Sequence, residues 1–275
     1  MPEEETGMEM GSGSGSGSGP GADRDITTID DVLDELDAIV ETAIAEDSPL
    51  GIFAYVYRRT TSKVAEAIGQ GRFEDAERME RFDVAFARLY INAFHRHRAG
   101  KPVAYAWEVA FNAAGKPDCD AIIMQHLLLG MNAHINLDLG MAAAEIAPGR
   151  QIRTLENDFM LVNELLAELV DEVQQRIGRV SPLMFLLDWI GERTDEAVVN
   201  FSIEKARGYA WKCAQNLAHA EPGERGDMIS EIDEEIAGLG NLVAHPPGFL
   251  LPNVLSVIRL FEVKHVGEVI ERLRA

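Results

Sequence analysis

Residues 121–146 read AIIMQHLLLGMNAHINLDLGMAAAEI, the most apolar stretch of the chain and long enough to cross a bilayer. Its middle nevertheless carries Gln125, His126, Asn132, His134, Asn136 and Asp138. An Asp near the bilayer centre costs roughly 2.5–3.5 kcal/mol on insertion scales, and the amides and imidazoles add to that. The membrane reading fails on this sum. The stretch is predicted instead to be a central helix buried in a bundle, where its polar groups must find hydrogen-bond partners.

The rest of the chain is punctuated for helices. Thr27, Thr28 and Asp30 open a run in which Val32, Leu33, Leu36, Ile39 and Val40 recur on one face. Ser48-Pro49 starts a second helix to about Ile68, and a third spans about Phe73–Arg98 before Ala99-Gly100-Lys101-Pro102. Further helices are predicted at 103–114, 118–146, 154–177, 181–191, 194–220, 227–238, 252–261 and 264–273. No segment alternates apolar and polar residues as a strand would. The expected fold is an all-α, compact bundle of about ten helices around the buried 121–146 helix. Residues 27–275 are read as a single domain, whose last part follows the Pro-rich break at His245-Pro246-Pro247-Gly248.

Residues 1–26 are acidic and then alternate Gly and Ser, a composition expected to remain a disordered tail. No basic and apolar leader precedes the domain. Across 275 residues the formal charge is -21 and 47% of residues are apolar. Such an acidic balance argues against nucleic-acid binding, which needs Lys and Arg on phosphates, and against an anionic membrane surface. The two cysteines, Cys119 and Cys213, form no CxxC pattern; this excludes a disulfide framework and suits the cytoplasm.

The polar residues of the central helix define the candidate site. At about 100° per residue, His134 and Asp138 lie about 40° apart and one turn removed, with His126 about 80° to the other side. Gly130 is expected to leave open space between them. A His and a carboxylate at i, i+4 let one helix supply two ligands, and imidazole with carboxylate suits zinc, iron or manganese. The expected metal set is His126, His134 and Asp138, with Asp158 from the following helix as fourth ligand. Asn163, the Asp188/Glu192 pair and Asp83 are further candidates. Asn132 and Asn136 face the opposite side, where they should bond neighbouring backbone. The competing interpretation is a buried polar network that sets bundle register without any ligand.

Elsewhere the signals are thinner. His95 and His97 sit near a helix end, where cations complement the dipole. Asp30-Asp31-Val32-Leu33-Asp34 spells DDxxD, but its acids open a helix and no second diphosphate motif follows. Asn200, Arg207 and Trp211 form a candidate substrate-binding group, with Arg207 and Trp211 placed for a cation–π contact. No GxGxxG, Walker, GxSxG or HExxH pattern occurs, so no nucleotide cofactor is expected.

QHLLLGMNAHINLDLG, DFMLVNELLAELVDEVQ and LLDWIGERTDEAVVNFSI together resemble a bacterial family known only as a domain of unknown function, over about residues 27–270. That resemblance implies a compact helical domain and no particular reaction. The HxxxD element is also similar to a helix motif of zinc-dependent phospholipases C, although this chain lacks their N-terminal Trp and remaining histidines. The functional expectation is a metal-dependent enzyme, a hydrolase or oxidase, acting on a small molecule. Its rivals are a module that binds an apolar small molecule between helices and a purely structural domain.

Overall fold

The computed structural model describes residues 26–115, 121–187 and 202–275. They are all-helical, without a strand among them: α1 (Ile29–Ala45), α2 (Leu50–Gly69), α3 (Ala76–Arg98), α4 (Tyr105–Ala114), α5 (Ile123–Met131), a π-helical segment (Asn132–Asp138), α6 (Leu139–Ile146), a 3-10 segment (Gly149–Leu155), α7 (Glu156–Val180), α8 (Ile203–His219), α9 (Arg225–Ala244), α10 (Leu250–Phe261) and α11 (Val266–Arg274). The opening of α1 follows from its sequence. Thr28 Oγ1 accepts from Asp31 N at 3.1 Å while Asp31 accepts from Thr28 N at 2.9 Å, a reciprocal cap. The middle acid of the DDxxD run is therefore occupied in starting the helix, and these bonds draw its carboxyl down to about 2.

Buried side chains form two neighbouring clusters. One gathers Val32, Leu36, Phe53, Tyr90, Trp107, Leu129 and Ile236, and also Leu255, Ile258 and Ile270 of α10 and α11. The other gathers Phe82, Leu139, Ala143, Phe159, Trp211 and Leu217. The central stretch runs through both, with α5 and the π-helical segment packed on α2, α4 and α9, and α6 packed on α3 and α8. Close approach is needed along that path: a Cβ on Gly140 would lie 3.0 Å from Ala210 O and 3.2 Å from Cys213 Cβ.

Several acids cap helices to which they do not belong. Asp158 accepts from Glu74 N (2.7 Å) and Asp75 N (3.3 Å) ahead of α3. Asp233 accepts from Tyr105 N (2.7 Å) and Ala106 N (2.8 Å) at the start of α4. Glu262 accepts from Ile123 N (3.1 Å) at the start of α5 and from Ser181 Oγ (2.8 Å). Each carboxylate meets orphan N–H donors at the positive end of a helix dipole. Helices α4 and α5 have no side-chain cap from their own N-cap residue, or one only from a neighbouring glutamine, so these distant acids complete them.

A buried imidazole–carboxylate pair in an aromatic cage

One face of the central helix is fastened to α9. Gln125 Nε2 donates to Val243 O at 2.7 Å and Asn132 Nδ2 donates to Ile236 O at 2.9 Å. Asn136 Nδ2 donates to Asn132 Oδ1 at 3.0 Å. The asparagines thus bond away from the histidines, as their angles imply, and Asn132 reaches backbone.

The other face carries the chemistry. His134 Nδ1 and Asp138 Oδ2 share a hydrogen bond of 3.0 Å, and Trp107 Nε1 donates to the same carboxylate oxygen at 2.9 Å. Both sit in the wider π-helical turn rather than an α-turn, an arrangement found often at functional sites. The imidazole is enclosed by rings. Phe86 stacks on it at 3.7 Å and 5°, Tyr57 meets it edge-on at 4.4 Å, and Phe53, Tyr90 and Trp107 stand 5.8, 5.9 and 6.0 Å away. Burial pushes His134 down and Asp138 up from their ordinary values, with the Trp107 bond opposing the shift of the acid. Both effects disfavour separated charge, which favours the pair as one neutral unit sharing a proton between Nδ1 and Oδ2.

His134 Nε2 has no hydrogen-bond partner among the described residues. The same is true of Asp83 Oδ2 and Tyr90 Oη, buried on α3, while the hydroxyls of Tyr57 and Thr61, buried on α2, face one another. Tyr57 links them: its ring lies 5.9 Å from that of Tyr90, and the charge of nearby Asp83 adds to burial in raising its phenol. Burial and Glu80 push the Asp83 carboxyl up to about 7. Buried polar atoms without partners are uncommon in proteins, and of these His134 Nε2 lies in the cage, with the Tyr90 ring 5.9 Å from its own.

A small cleft of about 10 Å³, room for roughly one water molecule, approaches the cage, lined by Pro49, Leu50, Phe53, Tyr90, Trp107 and His126 among others. Phe53, Tyr90 and Trp107 belong to both cleft and cage. His126 faces the cleft, and burial together with Arg259 lowers it to about 4, which keeps it neutral.

The expected metal set does not assemble. Among the described residues no three His, Cys, Asp or Glu side chains come together as a metal-holding group. Asp138 is engaged by His134 and Trp107, His126 belongs to the cleft, and Asp158 bonds Arg78 Nη2 at 2.9 Å as well as the α3 cap. The physical reason is topological. Helix α7 packs most extensively on α11 and α2, not along the central helix, so a short connection did not make antiparallel neighbours of the two. Nor does Gly130 leave space: a Cβ there would lie 2.4 Å from Phe53 Cγ. Asn163 bonds Arg207. The guanidinium of Arg207 stacks on Phe159 at 4.4 Å, and Trp211 packs on that same ring at 4.8 Å, so the expected Arg207–Trp211 stacking is replaced by a shared phenyl. Asn200, Asp188 and Glu192 lie outside the described residues. His95 Nε2 pairs with Glu35 at 2.7 Å and His97 packs on Phe111 at 4.8 Å.

The residues that sequence reasoning missed are aromatic. Phe53, Tyr57, Phe86, Tyr90 and Trp107 recur at helical spacing, which in a sequence signals ordinary core. Only Asp83, an acid between Phe82 and Val84, stood out there.

The fold and site define an all-helical protein with a buried imidazole–carboxylate pair. By sequence the chain matches a family of unknown function (DUF5995) over residues 29–246, and it belongs to that family. The match ends before α10 and α11. Neither a curated protein nor a solved structure matches the chain. The likeness to zinc-dependent phospholipases gains no support from the family match, and in the structure the HxxxD pair is bonded to itself. Among the described residues no helix is long and apolar enough to cross a membrane.

Proposed function

We propose that this protein is an enzyme that binds a small molecule beside His134 and exchanges a proton with it through Nε2. The observation that carries this reading is the state of that ring: Nδ1 is held by Asp138, while Nε2 is buried without a partner. An acid behind an imidazole sets its tautomer: with the pair neutral and one proton shared between Nδ1 and Oδ2, Nε2 carries the hydrogen it would exchange, the orienting role an acid plays in general acid–base catalysis. Trp107 keeps the carboxylate in place, and the stacked Phe86 fixes the plane of the ring. Tyr57, Tyr90 and Asp83 supply donors and acceptors around the guest. A cage of rings suits a small, flat substrate; the cleft beside Phe53 and His126 has room for about one water, so those rings must part to admit it.

The metal-dependent form of this proposal places zinc, iron or manganese on Nε2, because carboxylate-backed histidines commonly hold metals in this way. The surrounding donors fit it poorly. Burial holds the phenols of Tyr57 and Tyr90 above their ordinary range and therefore protonated, and it also raises the Asp83 carboxyl, which disfavours the anionic form a metal needs. Proton transfer without a metal is the reading we favour.

The test is turnover of a panel of small activated esters, ketones and epoxides by wild type, His134→Ala and Asp138→Asn, alongside elemental analysis of untagged protein. Activity lost in both variants with no bound metal supports the proposal. An equivalent of metal that disappears in His134→Ala would replace it with the metal form. Ligand binding with no turnover would favour a binding module, and wild type matching His134→Ala in every assay would refute a role for the ring.

A further inference from the structure

A second buried cation lies apart from the cage. Arg207 of α8 is 4% exposed. Its Nε donates to Asn163 Oδ1 and its Nη2 to Phe159 O (2.6 Å), while the plane of the group rests on Phe159 at 4.4 Å. These contacts hold the guanidinium rigidly, but none of them carries negative charge. Of the described acids of α7, Asp158 is engaged by Arg78 (2.9 Å) and Glu164 by Arg72 (3.9 Å). Among the described residues no carboxylate pairs with Arg207. Its Nη1 has no acceptor there either, yet it is not among the atoms sealed from solvent without a partner. The fork is thus anchored on one side and presents its remaining N–H groups on the other.

A buried charge is stable when paired, and guanidinium geometry matches oxyanions through two parallel N–H···O bonds. We propose that Arg207 anchors a small oxyanion, a carboxylate or phosphate group, where α8 crosses the start of α7. Burial draws its pKa down to about 9, and a bound anion would raise it again. This is a site separate from the cage. The rings of Phe86, Phe82 and Phe159 intervene between His134 and Arg207 in a row with spacings of 6.4 and 6.2 Å. The inference therefore does not depend on catalysis at His134.

The experiment is a thermal-melt and calorimetric titration of the full chain with sodium phosphate, and separately sodium acetate, against sodium chloride at constant ionic strength. A saturable rise in Tm and a one-to-one binding isotherm with either anion is expected from wild type. Response to phosphate alone assigns a phosphate site, and response to acetate alone a carboxylate site. Arg207→Lys should weaken binding at least tenfold, because an ammonium cannot form the fork, and Arg207→Gln should abolish it. Should those variants fail to fold, Asn163→Ala, which frees one side of the fork, should weaken binding several-fold. Wild type responding to neither anion beyond chloride overturns the proposal, as does undiminished binding by a folded Arg207 variant or by Asn163→Ala.

Discussion

Gly130→Ala tests whether the cage is as tightly built as its geometry implies. In an α-helix an Ala is preferred over Gly by about 1 kcal/mol, so the change would stabilise a helix standing alone. Here the new Cβ would lie 2.4 Å from Phe53 Cγ, 2.6 Å from Cδ2 and 2.9 Å from Cβ. Rotating the phenyl about its Cβ–Cγ axis moves Cδ2 but cannot relieve contact with Cβ or Cγ, which lie on that axis. Swinging it about χ1 drives it toward Tyr90, Tyr57 or Trp107, whose rings stand at 5.0, 5.8 and 5.8 Å. Overpacking of this kind costs about 1–3 kcal/mol, and here it falls on a ring hemmed by three others with only a water-sized cleft beside it, so the upper part of that range applies. After the helix preference is subtracted, a net loss of about 1–2 kcal/mol remains. That corresponds to a Tm lower by roughly 2–8 °C in a chain of this size. The control is Gly238→Ala, also inside a helix, where a Cβ meets nothing within 4 Å and stability should rise. Differential scanning calorimetry on wild type and both variants measures the effect. A Gly130→Ala protein as stable as Gly238→Ala would refute the packing account of the cage.

Other outcomes follow from the titrating groups and the shared caps. Asp83 is held up to about 7 in the fold against 3.8 ordinarily, so the folded protein keeps a proton that the unfolded chain releases. Stability should therefore fall as pH rises from about 4 to 7, by about 4 kcal/mol at 1.36 kcal/mol per unit, and Asp83→Asn should flatten that slope in denaturant melts. His126 has the opposite sign: lowered to about 4 from 6.5, it makes the fold lose stability as pH drops through that window, a loss that His126→Gln should remove. Asp158→Ala removes the acceptor of Glu74 N and Asp75 N ahead of α3 and strands largely buried Arg78, so it should cost about 3–5 kcal/mol, and wild type should melt identically with and without chelator if Asp158 is structural. Trp107→Phe leaves Asp138 Oδ2 one donor short; it should change the pH response of the His134 ring, followed by nitrogen NMR, with a stability loss of about 1–3 kcal/mol.

The helix class was legible because helix formation is a local matter. Thr28 with Asp31, the Gly69–Gly71 break and Gly100, which adopts a φ of 65°, mark boundaries through bonds between near neighbours. The polarity of the 121–146 face was legible too, since apolar surroundings make His134 and Asp138 conspicuous. Their mutual bond, four residues apart, was within reach of helical geometry. Asp158 misled for a definite reason. A carboxylate beginning one helix cannot reveal from its own surroundings that it will cap another helix more than eighty residues earlier in the chain.

What the sequence determined by itself, then, is the set of helices, the burial of the central one, and the presence on it of an imidazole and a carboxylate one turn apart. The tertiary structure decided everything that depends on contacts between distant segments. Phe53, Tyr57, Phe86, Tyr90 and Trp107 come from three helices to close around His134, and Arg207 settles on Phe159 instead of Trp211. Aromatic residues at helical spacing carry no mark that separates a cage from a core. The difference lies in which ring faces which polar atom, and packing sets that only once all the helices are in place.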